Sequence, residues 1–255
     1  MKIVVVGPGA MGCLFAAFLS KSKEETWLLD KNKENAARIN ENGISLEGVS
    51  GIWQGKPKTT ANIQDIGKAD LILICVKSFH TKQAVEQIKP LLGQNTKILS
   101  LHNGMGIIEV IAELTGEDRV IGGITSEGAT LIDTGKIRHA GRGETVIGMI
   151  DGKTPVEMRG IREVFNKVGF ETKMSRDIKS LIWSKLIINA GIKALTAITG
   201  LPNGKLTEFE GTKRILRDAV TEAVRIAKRK RVKLIFDDPL AKVEAVCEGT
   251  SENLS

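Results

Sequence analysis

Three glycines near the start of the chain have a spacing that suits phosphate binding. Gly7, Gly9 and Gly12 form a G-x-G-x-x-G pattern between an apolar run, MKIVVV, and the helix-like segment CLFAAFLSKS. In this context the first glycine permits a tight turn, the second lets the backbone approach a pyrophosphate, and the third lets helix and strand pack closely. The phosphates would lie at the helix N-terminus, where N–H groups and the dipole favour negative charge. The sequence therefore predicts a dinucleotide site formed by Gly7, Pro8, Gly9, Ala10, Met11 and Gly12.

The residues after the second predicted strand bear on which dinucleotide is bound. The strand ETWLL, residues 25–29, leads into Asp30. This is about twenty residues past the glycines, where an acidic side chain would hold the ribose hydroxyls of NAD. Lys31 and Lys33 follow at once, and a cation there would hold the 2′-phosphate of NADP. The same stretch also suits a solvated loop, so these residues leave the choice between NAD and NADP open.

Polar residues stand directly after three further predicted strands. Lys77 follows ADLILICV, His102 and Asn103 follow KILSL, and the run TSE at 125–127 follows RVIGGI. Ligands of parallel sheets bind outside the carboxyl ends of the strands, so these positions are candidates for a site. We favour Lys77 and Asn103 over His102, whose side chain could point away from the cofactor.

One long predicted helix carries a polar stripe. In SLIWSKLIINAGIKALTAI, Lys185, Asn189 and Lys193 recur every four residues, which puts them on one face of an otherwise apolar helix. That face either meets solvent, which composition favours, or lines a cleft. In a cleft, desolvation and a neighbouring cation would lower the pKa of a lysine and make it a usable general acid.

Composition restricts the class of protein. Of the 255 residues, 42% are hydrophobic and 26% are charged, as in an ordinary soluble globular protein. We see no signal peptide and no apolar run near the roughly 18 residues that a membrane span needs. Cys13, Cys75 and Cys247 lack a metal-ligand spacing, and their odd number argues against a disulfide framework, so we expect a reducing cytoplasm. The densest basic run, residues 228–233, has no interleaved aromatic residues, so the net charge of +7 does not indicate a nucleic-acid partner.

The order of predicted elements indicates two domains. From residue 1 to 175, strands and helices alternate, with short antiparallel hairpins over 129–150 and a last strand over 170–175. Beyond Ser175 we predict helices over 177–198, 206–231 and 238–254, with VKLIF at 232–236 as the one strand-like segment. This pattern predicts an α/β domain, residues 1–175, followed by an all-α domain, residues 176–255.

Four segments resemble those of a known family. GPGAMG, CVKSFHT, SLHNGMG and WSKLIINAGIKALTAITGLPNGKL are similar to the ketopantoate reductases (2-dehydropantoate 2-reductases), and the resemblance runs from Met1 to the end of the chain. It implies a Rossmann domain followed by a helical domain. It also implies NADPH-dependent reduction of 2-dehydropantoate to (R)-pantoate in pantothenate biosynthesis, with NAD not excluded. The polar stripe of the long helix would then line a cleft.

The resemblance also implies roles for single residues. Lys185 matches the general acid that protonates the ketone oxygen as hydride arrives. Lys77 matches the lysine near the nicotinamide ribose, and Gly128 falls where the family makes a backbone contact to the cofactor. Asn103 matches the asparagine that touches both cofactor and substrate. The implied substrate-binding set is Asn103, Asn189, Lys193 and Asn203, and Asp30 and Lys31 complete the cofactor set.

The chain departs from the family pattern at two places. Where the family usually has asparagine followed by proline, this chain has Lys193-Ala194, which puts another cation beside the substrate carboxylate or Lys185. The final segment, CEGTSENLS, resembles the start of the family's penultimate helix, so we expect the helical domain to be truncated.

Alternative functions follow from these departures. They are a reductase of another small 2-oxo acid, and a non-catalytic NAD(P)-binding homologue. For the leading interpretation we expect a small 2-oxo acid substrate, a cytoplasmic location and a homodimer as the candidate assembly. We expect no membrane, nucleic-acid or metal partner.

Overall fold

The computed structural model describes residues 1–254 and contains two compact units. The first unit holds residues 1–102 and 106–178, and the second holds residues 103–105 and the chain from residue 179 onward. The expected fold class, a Rossmann-type α/β domain followed by a helical one, is confirmed. The division into domains 1–175 and 176–255 stays a proposal.

Twelve strands belong to the first unit. They are β1 (Lys2–Val6), β2 (Glu25–Leu29), β3 (Ile44–Gly48), β4 (Trp53–Gly55), β5 (Lys58–Thr60), β6 (Ala69–Ile74), β7 (Leu92–Ser100), β8 (Val120–Thr125), β9 (Gly128–Asp133), β10 (Lys136–Gly141), β11 (Thr145–Met149) and β12 (Thr172–Met174). Its helices are α1 (Ala10–Leu19), α2 (Lys33–Asn42), α3 (Thr81–Ile88), α4 (Ile107–Thr115) and α5 (Val156–Val168).

The larger sheet has eight strands in the order β12-β11-β8-β7-β6-β1-β2-β5. Strand β1 pairs in parallel with β2 on one side and with β6 on the other. The chain therefore leaves β1 first toward β2 and later crosses to β6. Such a reversal opens a crevice at the carboxyl ends of the strands, which is where parallel sheets bind ligands. Strand β11 runs antiparallel to β8.

A second sheet of four strands, in the order β4-β3-β10-β9, was only partly predicted. The hairpin expected over 129–150 is present as β9 and β10, which pair antiparallel. Strand β11 does not join that hairpin but pairs with β8 in the larger sheet. Strands β4 and β5 were missed because each has three residues, too few to show an alternating pattern.

Helix α1 packs at the centre of the first unit. Phe15 and Phe18 on α1 both contact the ring of Phe170, with ring centroids 4.9 and 4.8 Å apart. Phe165 on α5 completes this aromatic cluster against Phe15. Burial of four aromatic side chains fixes α1, and with it the glycine turn that precedes it, against the sheet.

The second unit is helical. Helices α6 (Ile178–Thr199), α7 (Glu210–Arg229) and α8 (Pro239–Gly249) supply its secondary structure, with a short 3₁₀ segment over Asn203–Thr207. VKLIF at 232–236 is not a strand, because it has no neighbouring strand to pair with among the described residues. The backbone N–H of Ile235 instead donates to Ser184 Oγ at 3.1 Å. Helix α8 ends at Gly249, five residues earlier than predicted.

Helix α6 corrects the expectation that no apolar segment approaches membrane-spanning length. Within residues 1–254 it is the one helix long and apolar enough for a span. The core helix of a soluble protein passes the same test. Trp183 and Ile187 on α6 lie in the buried cluster of the helical unit, so the apolar character of α6 is accounted for by packing.

Candidate active site

The glycine turn after β1 has the geometry that its sequence predicted. Gly7 has φ +101°, a backbone conformation that residues other than glycine rarely adopt. A Cβ atom on Gly12 would lie 1.9 Å from the carbonyl oxygen of Gly7, so only glycine allows helix and turn to pack this closely. A Cβ atom on Gly9 would meet nothing within 4 Å. The space beside Gly9 is therefore open, as a pyrophosphate cradle requires.

The N-terminus of α1 is suited to an anion. The helix starts at Ala10, no side chain caps it, and its first turn contains no acidic residue. The N–H groups of the first turn therefore remain available to phosphate oxygens, and the helix dipole adds to the attraction. Together with the open space at Gly9, this arrangement fits a dinucleotide cofactor.

A cavity of about 260 Å³ lies beside the glycine turn at the carboxyl ends of the central strands. Gly7 and Pro8 form one part of its wall, and Asp30 and Lys31 form another. The remaining lining residues are Val6, Leu29, Ala61, Asn62, Ile63, Val76, His80, Gln83, Ala84 and Gln87. The cavity thus joins the predicted phosphate-binding turn to Asp30, predicted to contact the ribose hydroxyls, and to Lys31, predicted to contact a 2′-phosphate.

Asp30 is buried in this wall with only 4% of its surface exposed. Its Oδ1 accepts from the backbone N–H of Asn32 at 3.0 Å, and its own N–H donates to the carbonyl of Thr60 at 3.1 Å. Among residues 1–254, no group hydrogen-bonds Oδ2. Lys31, the next residue, is exposed. The structure therefore presents an unpartnered carboxylate oxygen and a lysine side by side.

His102, at the end of β7, has both ring nitrogens occupied. Its Nδ1 lies 2.9 Å from Ser100 Oγ, and its Nε2 hydrogen-bonds the carbonyl of Val76. Since a carbonyl only accepts, Nε2 carries the proton and Nδ1 accepts from the serine. Burial lowers the pKa of His102. This side chain ties the ends of β6 and β7 together, while Lys77, just beyond β6, is exposed.

Asn103 belongs to the helical unit by its contacts, although it follows a strand of the α/β unit. Its side chain is exposed, and the nearby Met105 packs against the buried cluster of the helical unit. This placement was not visible in the sequence, where SLHNGMG reads as a loop. Asn103 therefore shares a unit with Lys185 and Asn189.

Glu127, just after β8, forms a buried pair with His139 on β10, and this pair was not predicted from the sequence. Glu127 Oε2 lies 2.7 Å from Nε2 of His139 on β10, with side-chain exposures of 3% and 1%. Glu127 Oε1 also accepts from the N–H of Gly143 at 3.4 Å. Gly128, the predicted backbone contact, opens β9 directly after this pair. Glu127 thus makes structural contacts on both sides of β9 and β10.

Lys185 has an unusual environment on α6. Its side chain is half-buried, as is that of Asn189, whereas Lys193 is exposed. Burial and, to a smaller extent, the charge of Lys193 together lower the pKa of Lys185 to about 8. A lysine with this pKa is a stronger acid than an ordinary surface lysine and can donate a proton near neutral pH.

Asn203 is buried, and its amide group is largely committed within the helical unit. Its Nδ2 donates to Thr250 Oγ1 at 2.8 Å, and its backbone N–H donates to the carbonyl of Asn253 at 2.9 Å. No group among the described residues hydrogen-bonds its Oδ1. The amide of Asn203 therefore has its Oδ1 left as an acceptor, while one N–H of its Nδ2 is used by Thr250.

Comparison with known proteins identifies the family. Residues 3–152 match the family described as ketopantoate reductase PanE/ApbA, and residues 177–255 match its C-terminal part. This chain belongs to the ketopantoate reductase family.

Two relatives of this ketopantoate reductase family member show how much of the chain the similarity covers. A 2-dehydropantoate 2-reductase of Halobacterium salinarum is 32% identical over 100% of this chain and 84% of the relative. One of Pyrococcus horikoshii is 34% identical over 99% of this chain and 82% of the relative. The similarity therefore covers both units.

Solved structures of the family share the fold. A PanE/ApbA family ketopantoate reductase from Ralstonia eutropha superposes with a TM-score of 0.89 at 30% identity, covering 100% of this chain and 83% of that chain. A D-mandelate dehydrogenase solved with NADH superposes at 0.86, with 22% identity, covering 98% of this chain and 79% of that chain. The similarity to the D-mandelate dehydrogenase shows only that the two proteins share a fold.

Proposed function

We propose that this protein reduces 2-dehydropantoate to (R)-pantoate with NADPH, a step of pantothenate biosynthesis. The similarity to 2-dehydropantoate 2-reductases along the whole chain supports this assignment. The observation that carries the chemistry is the half-buried Lys185, whose pKa is lowered to about 8. Reduction of another 2-oxo acid, or cofactor binding without catalysis, is not favoured by these relatives.

The chemistry needs one hydride and one proton. NADPH, when bound, supplies the hydride to the ketone carbon of the substrate. In our proposal the Lys185 ammonium donates the proton to the ketone oxygen, and its charge stabilises the negative charge that develops there. The new C–H and O–H bonds replace the π bond of the ketone, the cofactor would leave as NADP⁺, and Lys185 is left neutral until it takes a proton from solvent.

The substrate has a carboxylate, a ketone and a primary hydroxyl, and different residues suit each group. The Lys193 ammonium suits the carboxylate. Asn103 and Asn189 carry amides that can both donate and accept. Asn203 has an Oδ1 without a partner among the described residues, so it suits the substrate hydroxyl, which can donate to it. These four residues form the proposed substrate-binding set.

The cofactor would be held mainly by the α/β unit. The turn from Gly7 to Gly12 and the N-terminus of α1 would bind the pyrophosphate. Lys31 would face the 2′-phosphate, and Lys77 would bind the nicotinamide ribose. The backbone of Gly128 completes this proposed set.

The decisive experiment is NADPH oxidation by the purified protein with a panel of 2-oxo acids. We expect kcat/KM for 2-dehydropantoate to exceed that for pyruvate and for 2-oxo acids lacking the hydroxyl. A preferred substrate other than 2-dehydropantoate would replace this assignment. NADPH binding without turnover of any member of the panel would indicate a non-catalytic homologue.

Location and assembly are part of the same proposal. We place the enzyme in the cytoplasm, supported by Cys13, Cys75 and Cys247, which are all free thiols. We propose a homodimer, supported by exposed Ile215 and Ile226, which lie on one face of α7. Light scattering coupled to gel filtration tests the dimer.

A further inference from the structure

A buried pair of side chains lies where strand β8 ends and β9 begins. We infer that Glu127 and His139 are positioning residues, whose hydrogen bond holds the Gly128 backbone and helix α1 in the arrangement that binds the dinucleotide. Neither side chain needs to touch the cofactor for this role. The inference rests on the proposed function, in which Gly128 and the N-terminus of α1 both belong to the cofactor set.

The carboxyl end of β8 lies on the same edge of the larger sheet as the glycine turn. Strand β8 is parallel to β7, β7 is parallel to β6, and β6 is parallel to β1, which the turn follows. Ligands of such sheets bind outside the carboxyl ends of the strands. The backbone of residues 126–128 therefore borders the edge at which the cofactor is proposed to bind.

Glu127 connects this backbone to β10 and to the segment after β10. Its Oε2 lies 2.7 Å from Nε2 of His139, and its Oε1 accepts from the N–H of Gly143 at 3.4 Å. Because a carboxylate only accepts, Nε2 of His139 carries the proton. The backbone N–H of Glu127 donates to Thr125 Oγ1 at 3.2 Å. The residue is thus fastened by its side chain and its backbone, and the next residue, Gly128, is held with it.

The strands around the pair depart from regular pairing. The register between β9 and β10 shifts between His139 and Gly141, and β-bulges of this kind are over-represented next to active sites. A Cβ atom on Gly143 would lie 2.4 Å from Cβ of Ser126, so only glycine lets these two segments approach so closely. Gly128 pairs with Gly141 at the end of this irregular stretch. Regular ladder geometry therefore does not by itself fix the Gly128 backbone, and side-chain contacts contribute to its position.

His139 also contacts helix α1. Its ring stands edge-on to the ring of Phe18, with centroids 5.6 Å apart and planes at 81°. Phe18 belongs to the aromatic cluster that packs α1 at the centre of the unit. The imidazole therefore meets α1 through Phe18 and the start of β9 through Glu127. A side chain with both contacts can keep two binding elements at a fixed spacing, which is how supporting residues preorganise a site.

A purely structural role would have different consequences from a positioning role. The side chains of His139 and Glu127 are only 1% and 3% exposed, so breaking the pair lowers stability in either case. A structural pair would leave the cofactor affinity of the folded protein unchanged. A positioning pair would change that affinity in protein that is still folded. Affinity and stability measured on the same variants therefore separate the two roles.

The test is titration with NADPH by calorimetry, without substrate, on variants whose Tm is also measured. Glu127→Ala removes both side-chain contacts and should weaken NADPH binding by about tenfold. Glu127→Gln keeps an oxygen for the Gly143 N–H and can donate to Nε2 of His139 once the imidazole proton is on Nδ1, so its Kd should stay within about threefold of wild type. Ile137→Val, in the core on β10, is the matched control and should lower the Tm without changing the Kd.

A shorter carboxylate gives a second readout, which decides the matter if Glu127→Ala does not fold. Glu127→Asp keeps the charge but is one methylene shorter, so it reaches His139 only if the Gly128 backbone moves. It should raise the Kd and the KM for NADPH by about threefold or more, while kcat at saturating NADPH stays within about twofold. Unchanged NADPH affinity in the folded Glu127→Ala and Glu127→Asp variants would overturn the inference. An equal loss of affinity in Ile137→Val would also overturn it.

The same titrations keep this inference apart from the proposed function. Weaker NADPH binding by Glu127→Ala, restored in Glu127→Gln, would support the inference even if the wild type did not turn over 2-dehydropantoate, which would refute the proposed substrate. Turnover of 2-dehydropantoate by the wild type, with an NADPH Kd that no Glu127 variant changes, would support the function and refute the inference.

Discussion

The charge of Lys193 acts on Lys185 along helix α6 and lowers the pKa of its ammonium group. The two residues are eight positions apart, which is two helical turns or about 12 Å along the axis. Because their backbones are this far apart, burial of Lys185 is the larger cause and the charge of Lys193 is the smaller one. Both disfavour the charged form of Lys185, so both make it a better proton donor.

Replacing Lys193 should therefore change the pH dependence of the reaction. A general acid is active while protonated, so kcat/KM should fall as pH rises through the Lys185 pKa, about 8. Lys193→Asn removes the repulsion and should move this alkaline limb to higher pH. The limb should stay below the ordinary lysine value, because burial is unchanged. Lys179→Asn, at an exposed lysine near the start of the same helix, is the control; a limb that moves equally in both variants would refute the specific effect.

Removing the proposed acid should reduce the chemical step itself. Lys185→Ala should lower kcat by about 10² or more, the usual scale for a lost general acid. Cofactor binding, measured by calorimetry, should remain near the wild-type value, because the proposed cofactor set lies elsewhere. A variant with near wild-type kcat would remove Lys185 from the mechanism. Solvent-exposed Lys179→Ala provides the matched control.

Two glycines of the same turn should respond differently to alanine. A Cβ atom at Gly9 meets nothing within 4 Å, so Gly9→Ala should keep the wild-type Tm but weaken NADPH binding, since the methyl group occupies the phosphate space. A Cβ atom at Gly12 would lie 1.9 Å from the Gly7 carbonyl oxygen. Gly12→Ala should cost about 1–3 kcal/mol of unfolding free energy, as overpacking does. Thermal melts and titrations of both variants check this, and equal Tm losses would contradict it.

The buried pair between Glu127 and His139 should contribute to stability. Glu127→Ala leaves Nε2 of His139 without its 2.7 Å partner, and Nδ1 has none among the described residues. A buried polar group left unsatisfied costs about 1–3 kcal/mol, which urea unfolding would measure. Arg138→Ala, which breaks the exposed pair with Glu47 on the neighbouring strand, should cost less than about 1 kcal/mol. Equal losses would indicate that burial of the pair is irrelevant.

The local sequence was sufficient to predict the glycine turn of the proposed cofactor site and most of the strands and helices. Strand β2 was predicted with its observed ends at Glu25 and Leu29, because a short run with β-branched and aromatic residues that ends at a polar loop favours a strand. The glycine roles followed from backbone sterics, which act within a few residues. The polar stripe on α6 was equally visible, since helical spacing depends only on the order of residues.

Contacts between segments far apart in the chain decided the strand pairings and buried contacts that could not be predicted from the sequence. Strand β3 pairs in parallel with β10, about ninety positions later in the chain, and β5 exists as a strand because β2 lies beside it. Only the tertiary structure showed that Asn103 shares a unit with α6, or that Glu127 meets His139. The sequence by itself determined which chemistry the chain could carry, because residue types and short spacings set it. The tertiary structure decided which polar groups are buried or committed to partners, because hydrogen bonding and desolvation depend on distant segments meeting.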